Sequence, residues 1–192
     1  MTFHDYLLSR HACHDAIEWV ADRPAREAWH ECADGSWMIW LCTMLGVRRE
    51  LVVLCATGCA RSVLHLVPVG EDRSRLAVET AEEWGYGHAT REEAYVAAAY
   101  AADAAAADDD AAYAAAYAAR AAHASDAACA ASAARAAAYA ASDAAYAAAR
   151  AADAAGICTR EHALARYARG VREVIPWWHV ADRLVAAGVE VV

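Results

Sequence analysis

Apolar positions over residues 1–89 recur three and four apart, the spacing of helices with one buried face. Residues 11–21 carry Ile17 and Val20 inward and stop before Pro24. Asp22 is a fitting N-cap for a second helix with Pro24 in its first turn, and Asp34-Gly35-Ser36 breaks that helix. The next spans 37–45 and ends at Gly46. Residues 48–67 are the most apolar piece, with Leu51, Val52, Leu54, Cys55, Cys59, Val63, Leu64 and Leu66, closed by Pro68 and Gly70. An amphipathic helix over 72–84 ends at Gly85. Short helices on short connections predict a compact all-α bundle.

The pattern changes at residue 90. Thr90 followed by Glu93 is a capping box and a specific helix start. From residue 94 to 155, 40 of 62 residues are Ala, with no Gly or Pro. One straight helix of that length would run roughly 93 Å, against a radius of gyration of about 16 Å for a compact domain of this size. The tract therefore folds back or protrudes as a rod. Its non-alanine residues decide for folding back. Ser132, Arg135, Tyr139, Ser142, Asp143, Tyr146, Arg150 and Asp153 share one arc of about 100° on a helical wheel. His123 and Asp126 fall opposite it, while Tyr113, Tyr117 and Arg120 form a second arc, and Tyr95, Val96, Tyr100 and Asp103 a third. Three stripes predict three helices near 91–107, 111–123 and 126–155, with breaks at Asp108-Asp109-Asp110 and Ser125-Asp126. Alanine faces turn inward and let axes approach closely, and the Tyr/Asp/Arg stripes turn outward. After Gly156, Thr159 caps a helix through Ile175, Pro176-Trp177-Trp178 makes a corner, and a last helix runs to about 187.

Composition narrows the class. The 192 residues include 57 Ala, and all 17 basic residues are Arg, with no Lys, Asn or Gln. So much of the best helix former, which is a poor strand former, excludes a β-sandwich. The organisation expected is one all-helical domain over 1–192, with a Trp/Leu-rich part (1–89), an Ala/Tyr-rich part (90–155) and C-terminal helices (156–192). The net charge of −9 disfavours nucleic acid and anionic membranes as partners. The first ten residues lack a signal-peptide pattern, no run is apolar enough to span a bilayer, and seven cysteines suggest no secreted framework. A cytoplasmic protein with reduced thiols is expected.

Candidate chemistry is sparse. His11, Cys13 and His14, with His30-Glu31-Cys32, offer soft ligands, but the spacing does not put His11 and Cys13 on one helical face. Cys13 and Cys32 read as small core residues, as do Cys55 and Cys59, so no metal and no other cofactor is expected. No phosphate loop, nucleophile elbow or carboxylate pair stands out, and no enzyme is expected. Glu82, Glu83, Glu92 and Glu93 read as a solvated face, and Arg166, Arg169 and Arg172 as a surface row. Trp29, Trp37, Trp40 and Trp84 are expected to anchor the core; of Trp177 and Trp178, one can be buried and the other exposed.

Several runs resemble a known family. They are HACHDAIEWV (11–20), AWHEC (28–32), GSWMIWL (35–41), CAR (59–61), VPVGEDR (67–73), RLAVETAEEW (75–84) and REVIPW (172–177), around an Ala/Tyr-rich tract. Together they resemble the predicted all-α immunity proteins of bacterial polymorphic toxin systems. The resemblance implies a non-enzymatic protein that binds a cognate toxin and occludes its active surface, and it brings no catalytic residues. An acidic inhibitor suits a basic target such as a nuclease. Tyr139 and Tyr146, rimmed by Arg135, Asp143 and Arg150, are the candidate contact residues, with Asp108, Asp109 and Asp110 steering the encounter. Two alternatives stand beside this reading: the tyrosines cover neighbouring helices of the same chain, or alanine faces pair between chains in a self-assembling module. An ice-binding helix is disfavoured because the tract from 94 to 155 has no Thr.

Overall fold

The computed structural model describes residues 1–104, 114, 117, 118 and 130–191. Among these residues there are ten α-helices and no strand. They are α1 (Phe3–Ser9), α2 (His14–Val20), α3 (Ala25–Glu31), α4 (Gly35–Met44), α5 (Arg49–Arg61), α6 (Arg73–Gly85), α7 (Arg91–Ala104), α8 (Ala130–Ala154), α9 (Arg160–Val174) and α10 (Trp177–Ala186). None is long and apolar enough to cross a membrane.

Side-chain caps fix several helix starts. The Thr90 box forms as the sequence predicts: Glu93 N donates to Thr90 Oγ1 at 3.2 Å, and Thr90 N to Glu93 Oε2 at 2.7 Å. Thr159 Oγ1 accepts from His162 N at 3.3 Å to start α9. Asp34 Oδ1 accepts from Ser36 N and Trp37 N at 2.8 and 3.1 Å. Asp34 thus starts α4 at Gly35, two residues ahead of expectation, because its side chain satisfies two otherwise orphaned amides.

Other boundaries differ for local reasons. Helix α1, not foreseen, is seven residues long and buries Phe3, Tyr6 and Leu7. Helix α2 starts at His14 because His11 has a φ of 59° and Cys13 is the N-cap. Pro24, not Asp22, is the N-cap of α3. The apolar segment ends its α-helix at Arg61, and Leu64–Leu66 follow as a 3-10 turn.

Helices α4, α5, α8 and α9 touch one another and form the centre of the bundle. Met38, Ile39 and Cys42 of α4 meet the core beside Val52, Val53 and Ala56 of α5 and Leu164, Tyr167 and Val171 of α9. Helix α8 adds Ala144, Ala145, Ala147, Ala148, Ala149, Ala151 and Ala152, all buried. A Cβ built on Gly35 lies 2.6 Å from Tyr167 Cβ and 2.8 Å from the Ala168 nitrogen, so α4 and α9 cross at a contact only glycine fits. Helix α6 lies on α5, α7 on α6, α10 on α3 and α2 on α1.

The two ends of the alanine tract return to one bundle. Helix α7 packs on α6 and α8 packs on α5, while α5 and α6 are neighbours roughly 20 Å long. A straight rod cannot meet both conditions. The expected breaks at Asp108-Asp109-Asp110 and Ser125-Asp126 lie outside the described residues. Ala114 and Ala118, one helical turn apart, are buried, and Tyr117 packs half-buried against the core. Tyr117 therefore does not face outward as its stripe predicts: it sits beside two buried alanines and covers the core.

Candidate functional site

On α8 the alanine rule holds in detail. The buried alanines occupy one side, and Tyr139, Asp143, Tyr146, Arg150 and Asp153 are exposed on the other. Tyr139 is 48% and Tyr146 41% exposed, large values for aromatic rings on a helix that packs against three others. Tyr146 is oriented by Arg160 at the start of α9. The Arg160 guanidinium donates to Tyr146 Oη at 3.1 Å and lies 5.7 Å from the ring centroid, a cation–π contact at the surface. Of the other candidates, Arg135 belongs to α8, while Asp108, Asp109 and Asp110 lie outside the described residues.

A second exposed aromatic stripe runs along α7, with Tyr95, Val96 and Tyr100 at 47%, 42% and 60%. It borders an open groove of about 610 Å³ between α6 and α7. Leu76, Val96 and Tyr100 supply its apolar wall, and Glu79, Glu83, Glu92 and Glu93 its acidic one. In sequence Glu83 and Glu92 belong to an expected solvated face, and the groove they line exists only where α6 and α7 lie side by side. The available signal was Leu76 standing where α6 should be polar. Of the same acidic set, Glu82 pairs with Arg61 (Arg61 Nε to Oε1 2.8 Å) and Glu93 caps α7.

The thiols and histidines are spread through the fold. Cys32, Cys42, Cys55 and Cys59 are buried. Burial pushes the Cys32 thiol to about 11 and the Cys55 thiol to about 12, and raises Cys42 and Cys59 well above the ordinary range. Such thiols are packing groups and poor nucleophiles. Cys13 is a correction: it is exposed, because the N-cap of α2 lies ahead of the buried face. His14 meets Glu18 at 3.1 Å, and His30 faces Trp177 at 6.2 Å. Among the described residues no three His, Cys, Asp or Glu side chains are grouped to hold a metal.

The arginine row is a second correction. Arg166 and Arg169 are exposed, but Arg172 reaches inward. Its Nη1 lies 3.1 Å from Trp29 O, 2.9 Å from Cys32 O and 3.4 Å from Met38 Sδ. It caps the C-terminal end of α3, where carbonyls lack helical partners and the dipole favours a cation. Desolvation lowers its pKa, as expected of a guanidinium drawn into the fold.

The tryptophans divide similarly. Trp29 is buried, and Trp37, Trp40 and Trp84 are half-buried against the core. Trp19 and Trp37 meet at 6.3 Å, tilted, over an apolar cavity of about 40 Å³ bounded by Phe3, Leu7 and Trp40. Trp177 meets Trp29 at 6.4 Å, tilted, and Trp178 is 59% exposed. Compared with protein-family models, with curated proteins and with solved structures, the chain has no match.

Proposed function

We propose that this chain is a protein-binding module without chemistry of its own, an immunity protein that neutralises a cognate bacterial toxin by covering its active surface. The observation that carries the reading is the division of α8. Its packing face is alanine, so Tyr139 and Tyr146 are not needed to fill the core, yet they present large rigid rings to solvent. Tyr and Arg are the residue types that concentrate binding energy at interfaces, with polar neighbours forming the rim. Here that rim is Asp143 and Arg150, with Arg135 one turn earlier in the sequence. A net charge of −9 favours a basic target. Self-assembly through alanine faces is the weaker reading, because the alanines of α8 between 144 and 152 are buried inside the chain.

The test is co-expression with the toxin-like reading frame next to the gene, scored by growth, followed by titration of the purified pair. Tyr139→Ala and Tyr146→Ala should each weaken binding by about 1–3 kcal/mol and cost less than about 1 kcal/mol of stability, the Arg160 contact with Tyr146 being at the surface. Charge removal at Asp108, Asp109 and Asp110 should slow association, less so at high salt. If the tyrosine variants unfold while their folded fraction binds normally, the stripe is packing. If no neighbouring toxin is neutralised, the immunity reading is wrong.

A further inference from the structure

We propose that the α6–α7 groove is a docking site for a basic amphipathic helix of the protein partner; the proposal rests on the protein-binding reading above. Helices α6 and α7 are joined by residues 86–90 and pack together, so they run antiparallel as a helical hairpin. Leu76, near the start of α6, therefore lies beside Tyr100, near the end of α7, and Glu83 lies beside Glu92 and Glu93 at the loop end. The groove has two chemistries in sequence along its length. Its far end carries the apolar surface, with Leu76 at 49%, Val96 at 42% and Tyr100 at 60% exposure, beside the Arg75-bound Glu79 and the Glu71-bound Arg73. Its loop end is acidic.

The distance between the two ends selects the occupant. From Leu76 to Glu83 is seven residues, roughly 10.5 Å along the helix, or two turns. A helix laid in the groove matches this by carrying apolar residues in one stretch and Arg or Lys two turns further on, the helix-in-groove mode of recognition. The charge of the lining fixes the sign. Among the described residues, four carboxylates line the groove against one guanidinium, Arg73, which is already bound to Glu71, and His88, which faces Glu83 at 3.0 Å. Glu79 is shared with Arg75 at 3.0 Å and Glu93 holds the Thr90 cap, which leaves Glu92, and Glu83 through the oxygen not turned to His88, as the carboxylates best placed to receive a cation. Phosphate groups and anionic lipid are repelled by such a wall. A second copy of this chain, with net charge −9, brings like charge to it.

The experiment uses the full ¹⁵N-labelled chain and three 18-residue helical peptides. One has leucines in its first half and arginines two turns on, the second has the same composition interleaved, and the third has Glu in place of Arg. Only the first should bind saturably at low salt, about tenfold tighter than the interleaved peptide, with amide shifts confined to residues 76–83 and 92–100. The double variant Glu83→Arg with Glu92→Arg should weaken it by about tenfold or more, while the remote Glu18→Arg leaves it unchanged. Absence of saturable binding, shifts scattered over the surface, equal binding of the interleaved peptide, or an equal loss from Glu18→Arg each overturns the proposal. The toxin assay separates the two readings. Neutralisation undiminished in the double variant refutes the groove and leaves protein binding standing. Peptide docking without any neutralised toxin refutes the immunity reading and leaves the groove.

Discussion

Three glycines inside helices offer a graded test of how closely this bundle is packed. Gly35, Gly58 and Gly85 all have backbone angles that alanine adopts freely. A Gly→Ala change at each therefore gains up to about 1 kcal/mol from the lower entropy of the unfolded chain. What differs is the space for a methyl group. At Gly58 in α5 nothing lies within 4 Å of the added Cβ, so Gly58→Ala should raise stability by about 0.5–1 kcal/mol. At Gly85 the nearest atom is Leu54 Cδ2 at 2.9 Å, the free end of a side chain that can turn aside. Gly85→Ala should be neutral within about 0.5 kcal/mol.

At Gly35 the three nearest atoms stand at 2.6, 2.8 and 2.9 Å, and two are backbone atoms of α9. No rotamer relieves such a contact, so α4 and α9 must move apart. Overpacking costs about 1–3 kcal/mol, and the backbone clash puts Gly35→Ala at the upper end. The net loss should be about 2 kcal/mol, or about 4–8 °C in Tm for a chain of this length. Urea denaturation followed by far-UV circular dichroism, with the m-value held as a check on two-state behaviour, measures the series. A Gly35→Ala variant as stable as the parent, or a Gly58→Ala loss equal to it, would refute the close crossing of α4 and α9.

Ser74 Oγ is buried and has no hydrogen-bond partner among the described residues, so Ser74→Ala should stabilise the fold by up to about 1 kcal/mol, read as a higher urea midpoint. Arg172→Met keeps the apolar stem but strips the Trp29 and Cys32 carbonyls of their donor, and it should lower stability by about 1–3 kcal/mol; a neutral result would mean water replaces the guanidinium. Among the described cysteines, a disulfide-exchange reagent should modify exposed Cys13 rapidly in the native protein and leave Cys42, Cys55 and Cys59 untouched until unfolding. Peptide mass mapping assigns the sites, and rapid labelling of Cys55 or Cys59 would place them outside the core.

Local and periodic features were legible in the sequence. The Thr90 and Thr159 caps, the helix end at Gly85, the helix end at Val174 (one residue short of the expected Ile175), and the outward arc of Tyr139, Asp143, Tyr146 and Arg150 follow from contacts within one helix or one turn. What was hidden depends on a second element. Cys13 and Cys32 look alike in sequence, but one precedes a helix and the other lies under α9. Arg172 continues an arginine row by spacing, and only the end of α3 draws it inward. Tyr117 shares its arc with a predicted outer face, and its burial comes from the neighbouring core. The α6–α7 groove needs two helices side by side, so neither stretch alone announces it. Helix α1 carries a start signal in its Thr2–Asp5 capping box, but no proline or glycine follows its seven residues to mark where it ends.

The alanine face of α8 also constrains how the sequence can change over generations. At a buried Leu or Ile, drift proceeds in both directions, toward smaller and larger residues, with neighbours compensating. At Ala145 or Ala148, fully enclosed among other helices, any larger side chain overpacks the interface and only Gly or Ser is smaller or nearly equal in size. Such positions are held where they are. The facing positions at Tyr139, Asp143, Tyr146 and Arg150 carry no such restriction, since they project past the packed layer. One helix thus joins a frozen surface to a variable one, where a change of side-chain size does not force the packed layer apart.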